Sequence, residues 1–179
     1  IYNVGGWHDI YAEGSLYNYQ YLQNEGNEKA RGNQKLFMGA FGHGAIEGDL
    51  SYPDSGAITG DIEQQLRWWD YWLKGEDNGI MDEPSVSFYM MASARKGDQS
   101  AKNRTIHSDT WPPQHEKTRF YLQPGMTIST SVPTADSASS SYLFDPANPV
   151  GTVGGQNLGR DVGPRDQREI GERQDYLRF

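Results

Sequence analysis

Two short apolar runs, each ending in glycine and separated by a helical pattern, constrain this chain more than any other feature. Ile1-Tyr2-Asn3-Val4 reads as a strand closed by Gly5-Gly6. Leu16, Tyr19 and Leu22 then fall at helical spacing, with Ser15 as the expected N-cap because its hydroxyl can accept from an orphan N–H. A polar loop over Gly26–Asn33 leads into Lys35-Leu36-Phe37-Met38-Gly39-Ala40-Phe41. A nearly continuous apolar run of this kind suits a strand covered on both faces, as in a parallel sheet. Strand, helix, strand is a βαβ unit, and the chain is expected to belong to the α/β class.

The clearest helix spans about Asp61 to Lys74. Asp61 caps it, Gln64 stands at the third position of a capping box, and Gly75 offers a left-handed stop. Ile62, Leu66, Trp69 and Leu73 form one stripe, which Trp68, Tyr71 and Trp72 widen. Such a stripe is expected to face the core. Beyond Gly75 the pattern changes. Val86, Phe88 and Met90 alternate with Ser85, Ser87 and Tyr89 as a strand. The stretch from Lys96 to Asp109 reads as a loop or linker. Thr118–Leu122 and Ser141–Phe144 read as further strands among Pro, Ser, Thr and Gly, and no helical pattern returns. The expectation is an α/β part followed by the opening of an all-β part, with a boundary near Trp111.

Charge and composition narrow the function. The net charge of −8 argues against nucleic acid, which needs clustered Lys and Arg, and against an anionic membrane surface. With no cysteine, disulfides, thiolate zinc sites and a cysteine nucleophile are excluded. No apolar run approaches the length of a membrane span. The chain opens on Ile1 without an initiator Met, which reads as the middle of a longer protein.

The residues able to do chemistry lie just past the two apolar runs, in Gly5-Gly6-Trp7-His8-Asp9 and in Gly39-Ala40-Phe41-Gly42-His43-Gly44. Open parallel sheets place their sites in loops at the carboxyl ends of strands, so Asp9 and His43 are expected side by side. A carboxylate that holds an imidazole, which in turn takes a proton from a hydroxyl, is the logic of a serine-hydrolase triad. In α/β-hydrolases the chain order is Ser, Asp, His, which places the serine before residue 1. No G-x-S-x-G occurs within the chain. Ser51 and Ser55 lack the glycine flanks and sit in a Pro-Asp loop. On pattern alone, an acid and a histidine after strands are more often structural. His8 beside Asp9 could be read as a metal pair, but a catalytic metal normally wants three protein ligands and only His43 is a further candidate, so a metal site is not expected. His107 and His115 read as solvated linker residues, and Glu13, Asp49 and Asp54 as surface charges. The carboxylates are too scattered for a glycosidase pair.

Several segments in order resemble the CocE/NonD hydrolases, a group related to α-amino acid ester hydrolases and X-Pro dipeptidyl-peptidases. Gly6-Trp7-His8-Asp9 resembles the family segment bearing the triad acid, and Gly42-His43 the segment bearing the triad histidine. Arg67–Gly75 resembles the helix that follows. Tyr142–Val150, Gly154-Gly155, Gly163–Arg168 and Glu172-Arg173 resemble the opening of the family's C-terminal β domain. The resemblance implies that residues 1–110 are the C-terminal portion of an α/β-hydrolase domain and residues 111–179 the start of a jelly roll. It implies a serine esterase acting through an acyl-serine intermediate, with Asp9 and His43 catalytic, Trp7 a candidate for lining the pocket or for packing, and no cofactor or metal. Small-molecule esters or short peptides are the implied substrates. The alternatives are an amide or X-Pro peptide hydrolase, and a non-catalytic β-sandwich binding module. Without the serine, the piece alone is expected to be inactive and, with a strand edge and apolar faces uncovered, to associate with copies of itself. Three positions depart from the family pattern. Ile10-Tyr11-Ala12 lacks the extra acids of the amino-acid ester hydrolases, His8 replaces a Tyr or Phe, and Gly151 stands where Pro is common.

Overall fold

The computed structural model describes residues 1–44, 46, 48–56, 61–92 and 102–179. They divide into two compact units. The first comprises Ile1–Gln114 and Gly154–Arg165, and the second His115–Val153 and Asp166–Phe179.

The first unit is built on a four-stranded mixed sheet with helices, an α/β arrangement. Strands β1 (Tyr2–Gly6), β2 (Lys35–Gly39) and β3 (Val86–Met90) run parallel in that order, and β4 (Arg104–Ser108) pairs antiparallel with β3. Helix α1 (Ala12–Glu25) connects β1 to β2. Helix α2 (Ile62–Trp69), extended by a π-helical turn over Asp70–Lys74, lies between β2 and β3 in the chain. The expected βαβ unit is present.

Pleating sorts the strand residues into two faces. On one, Leu36, Met38, Val86 and Phe88 form a buried cluster with Ala12 and Tyr19 of α1, and Trp7, Leu16, Ile106 and Trp111 pack around it. Polar atoms on this side are paired. Asn3 Nδ2 donates to the Lys35 carbonyl at 3.1 Å, and Asn3 Oδ1 accepts from Asn18 Nδ2 at 2.6 Å. The hydroxyls of Tyr19 and Ser85 meet at 3.0 Å.

Tyr2 points to the opposite face, where its ring meets Trp68 of α2 edge-on at 5.5 Å. Asp61 caps α2 as expected, its side chain accepting from Gln64 N, and Gly75 ends the helical segment in the left-handed region at φ 74. The stripe does not behave as the periodicity predicts. Trp68 is buried, but Ile62, Leu66, Trp69 and Leu73 are all more than half exposed. Of these exposed residues only Trp69 borders an apolar hollow of about 670 Å³ beside the N-terminal end of β1, which it lines with Ile1, Val4, Trp68 and Trp72. Lys35 is buried on β2, its ammonium donating to the carbonyls of Glu83 and Pro84 at 2.6 and 3.3 Å. Burial lowers its pKa.

Two further expectations fail here. Ser15 is not the N-cap, because α1 begins at Ala12, directly after a turn in which Ala12 N donates to the Asp9 carbonyl. Ser15 instead lies against Gly5, where any larger strand residue would collide with its hydroxyl. The expected linker over Lys96–Asp109 contains β4, although residues 96–101 lie outside the described residues. Pairing with β3 at every position from Arg104 to Ser108 overrides its polar composition.

In the second unit the described sheet structure is one hairpin, β5 (Tyr121–Gln123) with β6 (Thr127–Ser129). Ser141–Phe144 is not a strand, and Tyr142, Leu143 and Phe144 are exposed. A single helical turn, α3 (Arg168–Gly171), appears where none was expected. Arg173 fastens this part, donating to the Asn148 side chain and carbonyl and pairing with Asp175.

Candidate active site

The register of β1 on β2 sets Gly6 opposite Gly39, so the loops that follow leave the sheet side by side. The ladder continues for two residues: Trp7 N donates to the Gly39 carbonyl at 2.8 Å, and His8 N to that of Phe41 at 3.1 Å. Gly6 permits this approach, because a methyl there would lie 2.1 Å from the Phe41 oxygen. The chain then turns sharply, with Asp9 N donating to the Gly6 carbonyl at 3.0 Å.

This turn brings Asp9 and His43 together. Asp9 Oδ2 lies 3.4 Å from His43 Nδ1. Its other oxygen, Oδ1, accepts from the backbone N–H of Tyr11 at 2.9 Å. The carboxylate is thus fixed by one oxygen and offers the second to the imidazole. Its side chain is 14% exposed and that of His43 is 53% exposed, so the acid is sheltered and the base open. The separation exceeds the about 2.7–3.2 Å of a well-made N–H···O bond. The Tyr11 ring meets His43 edge-on at 5.3 Å. With Nδ1 turned to the carboxylate, the neutral ring carries its proton there and leaves Nε2 as the acceptor. The pair can therefore orient and discharge a general base.

The other candidates separate from this pair. Trp7 makes packing contacts: its indole N–H donates to the Tyr89 carbonyl at 2.9 Å and its ring lies 5.7 Å from Trp111. His8 stacks on Tyr52 at 6.3 Å, and its buried Nε2 has no hydrogen-bond partner among the described residues. Burial lowers its pKa and holds it neutral. Among the described residues, no group of three or more His, Cys, Asp or Glu could hold a metal. Ser55 is buried, its hydroxyl donating to the Ala40 carbonyl at 3.3 Å, and the Ser51 carbonyl accepts from Asn103.

His107 is exposed, as expected, but it lies on β4 rather than in a linker. Its Nδ1 meets Ser87 Oγ at 2.9 Å across the β3–β4 pair. A serine hydroxyl on an imidazole has catalytic form, but no ion pair joins this ring to a carboxylate among the described residues. The contact satisfies two opposed polar side chains on a sheet face.

Sequence reasoning missed Tyr11, whose backbone fixes Asp9 and whose ring meets His43. The i to i+2 turn that an Asp side chain forms with the following backbone was the available signal. It also missed the return of Gly154–Arg165 to the first unit. There Gln156 Nε2 donates to the Trp7 carbonyl at 3.0 Å, and the Asp49 N–H donates to the Pro164 carbonyl at 2.7 Å.

No family model matches the chain. Cocaine esterase of Rhodococcus sp. (strain MB1 Bresler) is 30% identical across 97% of this chain. A Mycobacterium bovis protein provisionally named a serine esterase is 29% identical across 81% of it. The chain spans 30% and 21% of the lengths of these two relatives. A solved CocE/NonD family hydrolase from Staphylococcus aureus covers 73% of the chain and is itself covered over 20% of its length, at 20% identity and a TM-score of 0.48, too slight a likeness to argue from. The two sequence relatives are an esterase and a provisionally named esterase, in line with the ordered motifs, and the chain is CocE/NonD-like over almost its whole length.

Proposed function

We propose that this chain contributes the acid and the base of a serine-hydrolase triad, and that the nucleophilic serine comes from sequence preceding residue 1. The observation that carries this reading is the divided carboxylate of Asp9, one oxygen tied to Tyr11 N and the other facing His43 Nδ1. Two things support placing the serine upstream: the Ser-Asp-His order, and the greater length of the sequence relatives. In the reaction, His43 Nε2 takes the serine proton as its oxygen attacks an ester carbonyl. The protonated ring then passes that proton to the leaving alcohol, giving an acyl-serine. Water repeats the sequence on the acyl-enzyme, releasing the acid and restoring the serine. Asp9 stays ionised throughout, holding the ring and stabilising the imidazolium. The substrate class is a carboxylic ester, the activity for which cocaine esterase is named. The second unit is read as the opening of a jelly-roll domain.

Fluorophosphonate labelling of the complete parent protein tests the assignment. The parent should label, and His43→Ala should slow labelling by on the order of a hundred-fold or more, the usual contribution of a general base. No labelling, or labelling indifferent to His43→Ala, overturns it. This chain alone should not turn over an activated ester. Turnover that Asp9→Ala abolishes would place the nucleophile within the chain instead.

A further inference from the structure

The loop bearing His43 is bracketed by two glycines, Gly42 and Gly48, and neither has a positive φ that would itself call for glycine. What excludes a side chain at both is the same segment of chain. A methyl at Gly42 would lie 2.4 Å from Val162 Cγ1, and one at Gly48 would lie 2.6 Å from Pro164 Cδ and 2.7 Å from its carbonyl oxygen. Real Cβ atoms do not approach so closely, and a valine methyl on a branched, stiff side chain has little room to retreat.

The segment that fills these seats, Gly154–Arg165, is a small strap. Gly155 and Gly163 close it by a reciprocal pair of backbone hydrogen bonds at 2.7 and 2.9 Å. Asn157 Nδ2 donates across it to the Gly154 and Asp161 carbonyls at 2.8 and 3.3 Å. Leu158 is 67% exposed, whereas Val162 is 3% exposed. The one apolar side chain that the strap buries is therefore the one set against the residue preceding His43. Beyond it, the Asp49 N–H is held by the Pro164 carbonyl, and Arg165 lies 3.7 Å from the Asp49 carboxylate. Gln156 reaches the carbonyl of Trp7, two residues before Asp9. One strap thus touches the backbone on the approach to both members of the pair.

We propose that this strap is a positioning element for the His43 loop, with Val162 and Pro164 as positioning residues seated on Gly42 and Gly48. The proposal rests on the reading of His43 as general base, and the contacts that carry it run to the backbone at Trp7, Gly42 and Gly48. A half-exposed imidazole gains a defined backbone position when Gly42 before it and Gly48 beyond it are both seated on a closed strap. A displacement of about 1 Å in such a group is enough to cost catalysis heavily.

The test is a size-exchange pair read by NMR on this chain, which needs no nucleophile and so stands or falls separately from the hydrolase reading. Gly42→Ala should shift or broaden the His43 ring signals and speed exchange of the Gly155 and Gly163 amides roughly ten-fold, as local opening of the strap becomes easier. Adding Val162→Ala makes room for the new methyl and should return both signals towards the parent. Should Gly42→Ala fail to fold, Val162→Ala alone carries the test. It should move the His43 ring signals while the Leu36 and Met38 amides of β2 stay protected. The proposal is overturned if the His43 signals ignore the substitutions, or if the double variant keeps the full displacement of Gly42→Ala.

Discussion

The two faces of the sheet are finished differently. On the α1 side, Leu36, Met38, Val86 and Phe88 are closed over by a helix that looks mediocre in sequence, with Asn18 and Gln20 between its tyrosines. On the α2 side stands the chain's most regular apolar stripe, yet Leu66, Trp69 and Leu73 are exposed, Trp69 at the edge of an open hollow. Amphipathic periodicity reports that a face needs cover; it does not report that the cover lies within the same stretch of chain. Tyr19 succeeds because its ring enters a cluster made by β2 and β3 and flanked by Ile106 of β4, whereas on the α2 side Trp68 meets the ring of Tyr2 on β1.

The largest expected effect sharpens this contrast. Tyr19→Ala empties a position that is 1% exposed and should cost about 3–5 kcal/mol in urea unfolding. Trp69→Ala, more than half exposed, should stay within about 0.5 kcal/mol for the monomer. Equal losses would break the comparison and mean that α2 is covered in solution. The same stripe should drive association of copies, and Trp69→Glu with Leu66→Glu should lower the mass seen by light scattering. Asp61→Ala removes the cap acceptor for Gln64 N and should cost about 1 kcal/mol, with helix loss by circular dichroism confined to α2.

A pH-dependent effect is expected at His8. Its pKa in the folded chain is lowered by burial, so the unfolded chain binds the proton more readily. Stability from this group is complete above the ordinary histidine pKa and declines as pH falls through and below it, down to the lowered folded value. His8→Phe removes the titration and the unpaired Nε2, and should flatten that acid-side slope with a gain of up to about 1 kcal/mol. A slope unchanged in the variant would assign it to other groups.

The parallel part of the fold was legible because both of its signals are local. β1 and β2 are short apolar runs, and glycines mark where each ends. The adjacency of Asp9 and His43 was legible through the same spacing, since parallel register places strand ends together. β4 was hidden because Arg104, Thr105, His107 and Ser108 are ordinary loop residues, made into a strand only by the partner they meet. Ser15 misled because a hydroxyl suits a helix N-cap and a tight helix–strand contact equally. The strap was hidden for a stronger reason: its evidence is shared between Gly42, Gly48, Val162 and Pro164, over a hundred residues apart, and no single stretch contains it.

The anchoring of Asp9 Oδ1 by the Tyr11 N–H has a consequence for the mildest substitution available. In Asp9→Asn the new side chain is not free to choose its orientation, because the Tyr11 N–H requires an oxygen. The amide NH2 is then turned to His43, where it donates to Nδ1 and forces the ring proton onto Nε2. The imidazole that should accept a proton would present one instead. An exchange that changes hardly any volume would reverse the direction in which the ring can pass protons, leaving the strands, the turn and the strap as they were.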